Sequence, residues 1–134
     1  RIAIDGVPIT GKNYVLVTAF AMNGNLRQKP AVGSLGAISI GQGEFQVTGN
    51  LNTYFDDATY ANYVINQTEL SFDILFFDVD DQYILYDFPS IKLKTGAPAI
   101  PGKNQDVTLN ADFGAFMNST LGYTALIQRF HEVQ

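Results

Sequence analysis

Glu44-Phe45-Gln46-Val47-Thr48-Gly49-Asn50-Leu51-Asn52-Thr53-Tyr54-Phe55 alternates apolar and polar residues almost without error. One parity reads Phe45, Val47, Gly49, Leu51, Thr53, Phe55; the other reads Glu44, Gln46, Thr48, Asn50, Asn52, Tyr54. Side chains on a strand point to opposite faces at each step, so this stretch is a strand with one buried face. Asp106 to Met117 repeats the pattern, with Val107, Leu109, Ala111, Phe113, Ala115 and Met117 set against Asp106, Thr108, Asn110, Asp112 and Gly114. At ~3.3 Å per residue each strand spans ~40 Å, about twice the usual length. The polar parities carry mostly amides and hydroxyls. A long, wet, weakly charged sheet face suits a scaffold or a channel wall better than an active site.

Outward from these strands the rest of the chain also reads as β structure. Asp5-Gly6 between Arg1–Ile4 and Val7–Thr10 is a hairpin signal. Tyr14–Met22 is a strand apolar on both faces, which implies cover on both sides. Asn23 to Gly43 is a Gly-rich excursion with a short strand near Ala37–Ile40, expected to be mobile until a neighbour orders it. Asp57–Gln67 reads as the one helix, with Asp56 as its N-cap and a broad apolar face. Leu70–Val79 and Gln82–Phe88 form a hairpin about Asp80-Asp81, Ile91–Lys94 is a short strand, and Thr95–Gln105 is a loop in which Pro98 and Pro101 forbid ladder bonds. A turn at Asn118–Gly122 leads into a last strand, Tyr123–Phe130. The expected fold is mainly β: an antiparallel β-sandwich of about nine strands with one flanking helix, residues 1–134 forming a single domain. The abrupt start at Arg1 suggests a piece of a longer protein.

Composition narrows function by exclusion. The chain has 134 residues, no Cys and one His, His131. Neither a disulfide framework nor a thiolate zinc site is available. No apolar run reaches the ~18 residues needed to cross a bilayer, so no membrane partner is expected. The net charge of −5 is concentrated in residues 56–87, which hold eight acidic and no basic side chains. Such a chain is unsuited to ordinary nucleic-acid binding, which rests on Lys and Arg neutralising phosphates.

Candidate chemical sites each have a plainer reading. Asp78-Val79-Asp80-Asp81 offers carboxylates to a hard cation but lacks a calcium-loop pattern, and reads better as a solvated turn. Asp73 and Asp87 face one another in the predicted hairpin as glycosidase carboxylates would, with nothing to place them in a cleft. No Gly-x-Ser-x-Gly elbow accompanies His131. Arg27 and Lys29 on the Gly-rich excursion are either solvated or set against an acidic neighbouring surface, since residues 56–87 have no basic partners of their own. No catalytic, metal or cofactor site is expected, and the chain reads as non-enzymatic.

The order of elements, with Val47-Thr48-Gly49-Asn50-Leu51-Asn52-Thr53-Tyr54-Phe55-Asp56-Asp57 running into a helix and Ile100-Pro101-Gly102-Lys103-Asn104-Gln105-Asp106-Val107 leading into the second long strand, resembles the tail tube protein of long-tailed, siphovirus-type bacteriophages. The resemblance covers nearly the whole chain. It implies a structural virion protein whose copies form stacked rings around a lumen for DNA ejection. It also implies other tail proteins as partners, passage of DNA without sequence-specific binding, and assembly in the bacterial host cytoplasm. The expected lumen-facing residues are Gln46, Thr48, Asn50, Asn52, Thr108, Asn110 and Asp112, a net acidic wall without Lys or Arg; Arg27 and Lys29 mark an inter-subunit loop. The alternatives are the inner tube of a contractile secretion system and a non-catalytic carbohydrate-binding β-sandwich module, the latter requiring a row of exposed aromatics on one sheet face.

Overall fold

The computed structural model describes residues 1–80, 82–100 and 102–131. Among them, ten strands and one helix follow in the order β1 (Ile2–Ile4), β2 (Val7–Pro8), β3 (Val15–Asn23), β4 (Arg27–Pro30), β5 (Ala37–Gly41), β6 (Gln46–Tyr54), α1 (Thr59–Asn66), β7 (Glu69–Phe77), β8 (Gln82–Ala99), β9 (Thr108–Ala115) and β10 (Leu126–His131). Eight strands make one antiparallel sheet in the order β2-β1-β7-β8-β9-β6-β3, with β10 paired to β8, while β4 and β5 form a separate hairpin. The mainly-β class with one helix is as the sequence predicts.

The sheet is a sandwich because it bends back on itself. Phe20 on β3 lies 5.1 Å from the ring of Tyr86 and 5.3 Å from that of Phe88 on β8. Yet β9 and β6 stand between those strands in the ladder. Three strand spacings in a flat sheet would hold them ~14 Å apart. The fold-back encloses Phe72, Phe88 and Phe113, all fully buried, with Phe113 edge-on to Phe72 at 5.5 Å. The two long alternating segments, β6 and β9, are neighbours from Val47↔Ala115 to Tyr54↔Thr108, and their apolar parities point into this core.

Turn chemistry is met where the sequence asks for it. Asp5 and Gly6 both take positive φ, 52° and 73°, as a two-residue turn of this hand requires. The helix start differs from expectation. Ala58 occupies the N-cap position with no side-chain bond. Asp56 instead accepts the backbone N–H of Asn13 at 2.7 Å, and Asp57 accepts the N–H of Thr59 at 2.9 Å. The buried Asn13 completes the junction: its Oδ1 accepts the N–H groups of Asp56 and Asp57, and its Nδ2 donates to Asp57. The Thr59 side chain and backbone, then Asn13, hold the Asp57 carboxyl down at about 2.

Two further expectations are corrected. Ile91–Lys94 is not a separate strand and the loop does not begin at Thr95, because β8 runs unbroken for 18 residues. Pro89 falls in a gap of every register: β10 pairing ends at Asp87, β9 pairing begins at Ile91, and the β7 ladder shifts between Leu70 and Phe72. Pro98 sits opposite Leu109 beyond the end of the β7 ladder, on the stretch where β8 has a strand on one side only. Pro101 lies outside the described residues. The second correction is β4, which the sequence left inside a flexible excursion; it pairs with the expected β5 to form an exposed hairpin.

Gly49 is fixed by close approach. A Cβ there would lie 2.3 Å from the Phe113 ring and 2.5 Å from the Ala19 carbonyl oxygen, which is backbone and does not yield. Gly49→Ala should therefore cost about 1–3 kcal/mol, the usual range for overpacking. Urea unfolding checks this; an unchanged midpoint would show that β3 and Phe113 shift freely.

Candidate functional site

The polar parities of β6 and β9 come together as one face. Asn50 opposes Asp112, Asn52 opposes Asn110 and Thr48 opposes Gly114, so Gln46, Thr48, Asn50, Asn52, Thr108, Asn110 and Asp112 share a surface open to solvent. Asn50 Nδ2 donates to Asn110 Oδ1 at 2.6 Å and to Asp112 Oδ1 at 3.1 Å. Thr95 Oγ1, from β8, donates to Asp112 Oδ2 at 2.9 Å. These bonds, from Asn50 first, lower the Asp112 carboxyl pKa and keep it ionised. The polar groups thus bond to one another along the sheet, and nothing about the set points to a nucleophile or an acid–base pair.

The face is wider than the sequence indicated, and its charge differs. On β3, Val17, Ala19 and Ala21 oppose Asn52, Asn50 and Thr48, adding a strip of small apolar groups. On β8, Lys94 lies over Gly114, and Lys92 places its Nζ 5.6 Å from the centre of the Phe116 ring. A wall without Lys or Arg is therefore not what forms: β8 contributes two ammonium groups beside Asp112. Lys94, Asp112, Asn50, Thr48, Ala19 and Ala21 border a shallow depression of about 510 Å³. The sequence concealed these neighbours because β8 was read as ending in a loop at Thr95; the long registers to β9 needed its full length.

Arg27 and Lys29 lie on β4, exposed and far from the polar face in the ladder. Arg27 donates to the Gln42 carbonyl within its own hairpin. Asp78 and Asp80 are exposed at the β7–β8 turn, with Asp81 outside the described residues. No group of three acidic or imidazole side chains gathers in metal-holding geometry among the described residues. His131 ends β10 opposite Gln82, exposed.

Asp73 and Asp87 do face each other across β7 and β8. Each carboxylate has a partner: Arg1 donates to Asp73 at 3.0 Å and Tyr123 Oη donates to Asp87 at 3.0 Å. Burial pushes the Asp87 pKa up, the Tyr123 bond opposes that, and the Asp73 charge adds to it. A raised carboxyl pKa means the folded chain prefers the protonated acid. The contribution of Asp87 to stability is then fully present in acid and is lost as pH rises from the ordinary 3.8 through the folded value. Asp87→Asn, whose amide oxygen still accepts from Tyr123, should unfold at higher urea than the parent at pH 7, with the gap closing as pH falls toward 3.8. A gap independent of pH would show that the charge carries no cost there.

Similarity to known proteins agrees with this geometry. The chain is similar over 95% of its length to 95% of a chain in a structure of the virion of a native gene transfer agent particle, at 11% identity and a TM-score of 0.60. It is similar over 97% of its length to 93% of a chain in a structure of a type six secretion system protein, at 10% identity and a TM-score of 0.59. At those identities the likeness concerns the fold. No curated protein sequence matches the chain significantly. The family model for the phage tail tube protein matches residues 1–115, from β1 through the last residue of β9. The chain belongs to the phage tail tube protein family.

Proposed function

We propose that this protein is a subunit of a phage tail tube, its copies joining edge to edge into rings that stack around a conduit for DNA, and that residues 1–134 act as one such unit. The observation that carries the reading is the edge strand β3. It ends the sheet order, so one side of its backbone has no strand partner among the described residues. Its sequence, Val-Leu-Val-Thr-Ala-Phe-Ala-Met-Asn, contains no charge and no Pro. Leu16 and Val17 are 42% and 58% exposed. Soluble chains normally protect such an edge with charged residues, Pro, a bulge or a cover. Pairing with the next copy satisfies the backbone groups and covers the apolar side chains. A head-to-tail contact of this kind closes into a ring when its rotation allows.

The polar face of β6 and β9 then lies next to the pairing edge and is the natural lumen wall. Lys92 and Lys94 make that wall mixed in charge, with ionised Asp112 between amides and hydroxyls. A polar surface whose groups already bond to one another gives passing DNA no ordered array of cations to hold it. In this reading the partners are further copies, other tail proteins and transient, sequence-independent DNA. The site of action is the virion tail, assembled in the host cytoplasm, and no reaction is catalysed. The carbohydrate-module alternative finds no row of aromatics on this face: Tyr54 is the one aromatic among its β6 and β9 residues. The contractile inner tube shares the architecture and differs in its surroundings.

Val17→Lys places a charge on the exposed edge without touching the core. Concentrated parent protein should show rings or short tubes in negative stain, whereas the variant should keep its β spectrum and unfolding midpoint but stay monomeric. Rings formed equally well by the variant would remove β3 from the interface; a parent that stays monomeric at millimolar concentration would count against self-assembly of this chain.

A further inference from the structure

A second pair of surfaces remains uncovered after β3 is paired, and the two match each other. The first is the end of the β4–β5 hairpin. Residues 23–43 carry Arg27 and Lys29 and no acidic group. The loop beyond β4 is shaped by the Ser34 N–H donating to the Ala31 carbonyl and the Gly36 N–H donating to Ser34 Oγ. It presents Val32 and Leu35 with their side chains wholly in solvent, at 108% and 113%. An isolated two-stranded hairpin is marginal in water, so this one gains most of its order from whatever it meets. The second surface is the far end of β7 and β8. There Phe76, Phe77 and Val79 are 53%, 70% and 92% exposed. Phe76, Phe77, Ile84, Gln82 and Arg129 line a groove of about 230 Å³, enough for one or two aliphatic side chains, and Asp78 joins its rim. Arg129 is held by Gln82, and Asp78 and Asp80 stand free of any basic partner among the described residues.

We infer that the loop led by Val32 and Leu35 seats in the Phe76–Phe77 groove of a second copy, with Arg27 and Lys29 set against the Asp78–Asp80 turn. The argument is complementarity in both senses. The most exposed aliphatic residues of the chain meet an apolar groove of matching size, and a segment with only positive charge meets a turn whose own charges are negative. Within one chain the hairpin pairs with neither β7 nor β8, so the occupant is another copy. The contact is heterologous, because the two surfaces differ, and it extends an assembly without closing a dimer. It rests on the assembly reading above and adds a second, smaller interface to the one at β3.

The natural chain has no Cys, which makes disulfide trapping clean. Leu35→Cys and Phe77→Cys proteins, oxidised separately and as a mixture at the concentration where the parent assembles, should give a linked dimer in the mixture and at least tenfold less in either protein alone. Reversing both hairpin charges (Arg27→Glu with Lys29→Glu) should abolish the mixed dimer, and adding Asp78→Lys with Asp80→Lys in the partner should restore it. Val79→Cys is the substitute if Phe77→Cys fails to fold. No mixed dimer while rings form in negative stain overturns the groove and leaves the tube reading standing. No mixed dimer and no rings at any concentration overturns both. Equal linking in the separate proteins overturns the heterologous geometry.

Discussion

The crossing of Phe113 over Gly49 is the constraint on which the architecture rests. Cross-strand neighbours in a sheet normally keep their side chains apart on a shared face. Here β6 gives up its side chain at one position, and the ring opposite fills the space. That placement lets Phe113 meet Phe72 from β7 and Phe88 from β8, and it brings the Ala19 backbone of β3 close enough for Phe20 to reach Phe88. The sandwich is thus one sheet whose bend is filled by four phenylalanines, and an added methyl at the crossing would press on both layers at once.

The polar face follows from the same bend. Once the apolar parities of β6 and β9 are committed to the core, their amides and hydroxyls must all emerge on one outer surface, in register. Asn13 and Ser90 then fix the ends of the sandwich. Asn13 ties the loop before β3 to the strand–helix junction through the reciprocal bonds with Asp56 and Asp57. Ser90, fully buried at the Pro89 gap, donates to Glu69 and accepts from Asn118, joining β7, β8 and the turn before β10. Both are buried polar residues whose bonding is satisfied within the chain, so they specify geometry without an uncompensated desolvation penalty.

Much of this was legible because alternation is a strong local signal. The faces of β6 and β9, the Asp5-Gly6 turn and the existence of α1 all follow from patterns a few residues long. What failed was non-local. Pro89 and Pro98 read as strand breakers because their tolerance depends on which neighbours end beside them. β4, Arg-Gln-Lys-Pro, has no apolar pattern and exists through its pairing with β5. Asp56 has the chemistry of an N-cap, yet Asn13, more than forty positions away, competes for it. Lys92 and Lys94 reached the polar face through the full length of β8, which no local window displays.

That 18-residue strand also sets how the molecule must fold. β8 belongs to both layers: its first half pairs with β7 and β10, its second with β9. The remaining ladders join residues far apart in the chain, as Ile2 with Ile74 and Val47 with Ala115 do. Few of these pairings reward chain closure early, so the transition state must collect distant segments before much is gained, and folding belongs to the slow, high-contact-order regime. During that delay the uncharged β3 is present without its native partner β6, which cannot be secured until β9 has arrived. The same segment that suits a finished tube is therefore the one a cell must shield while the chain is still being made.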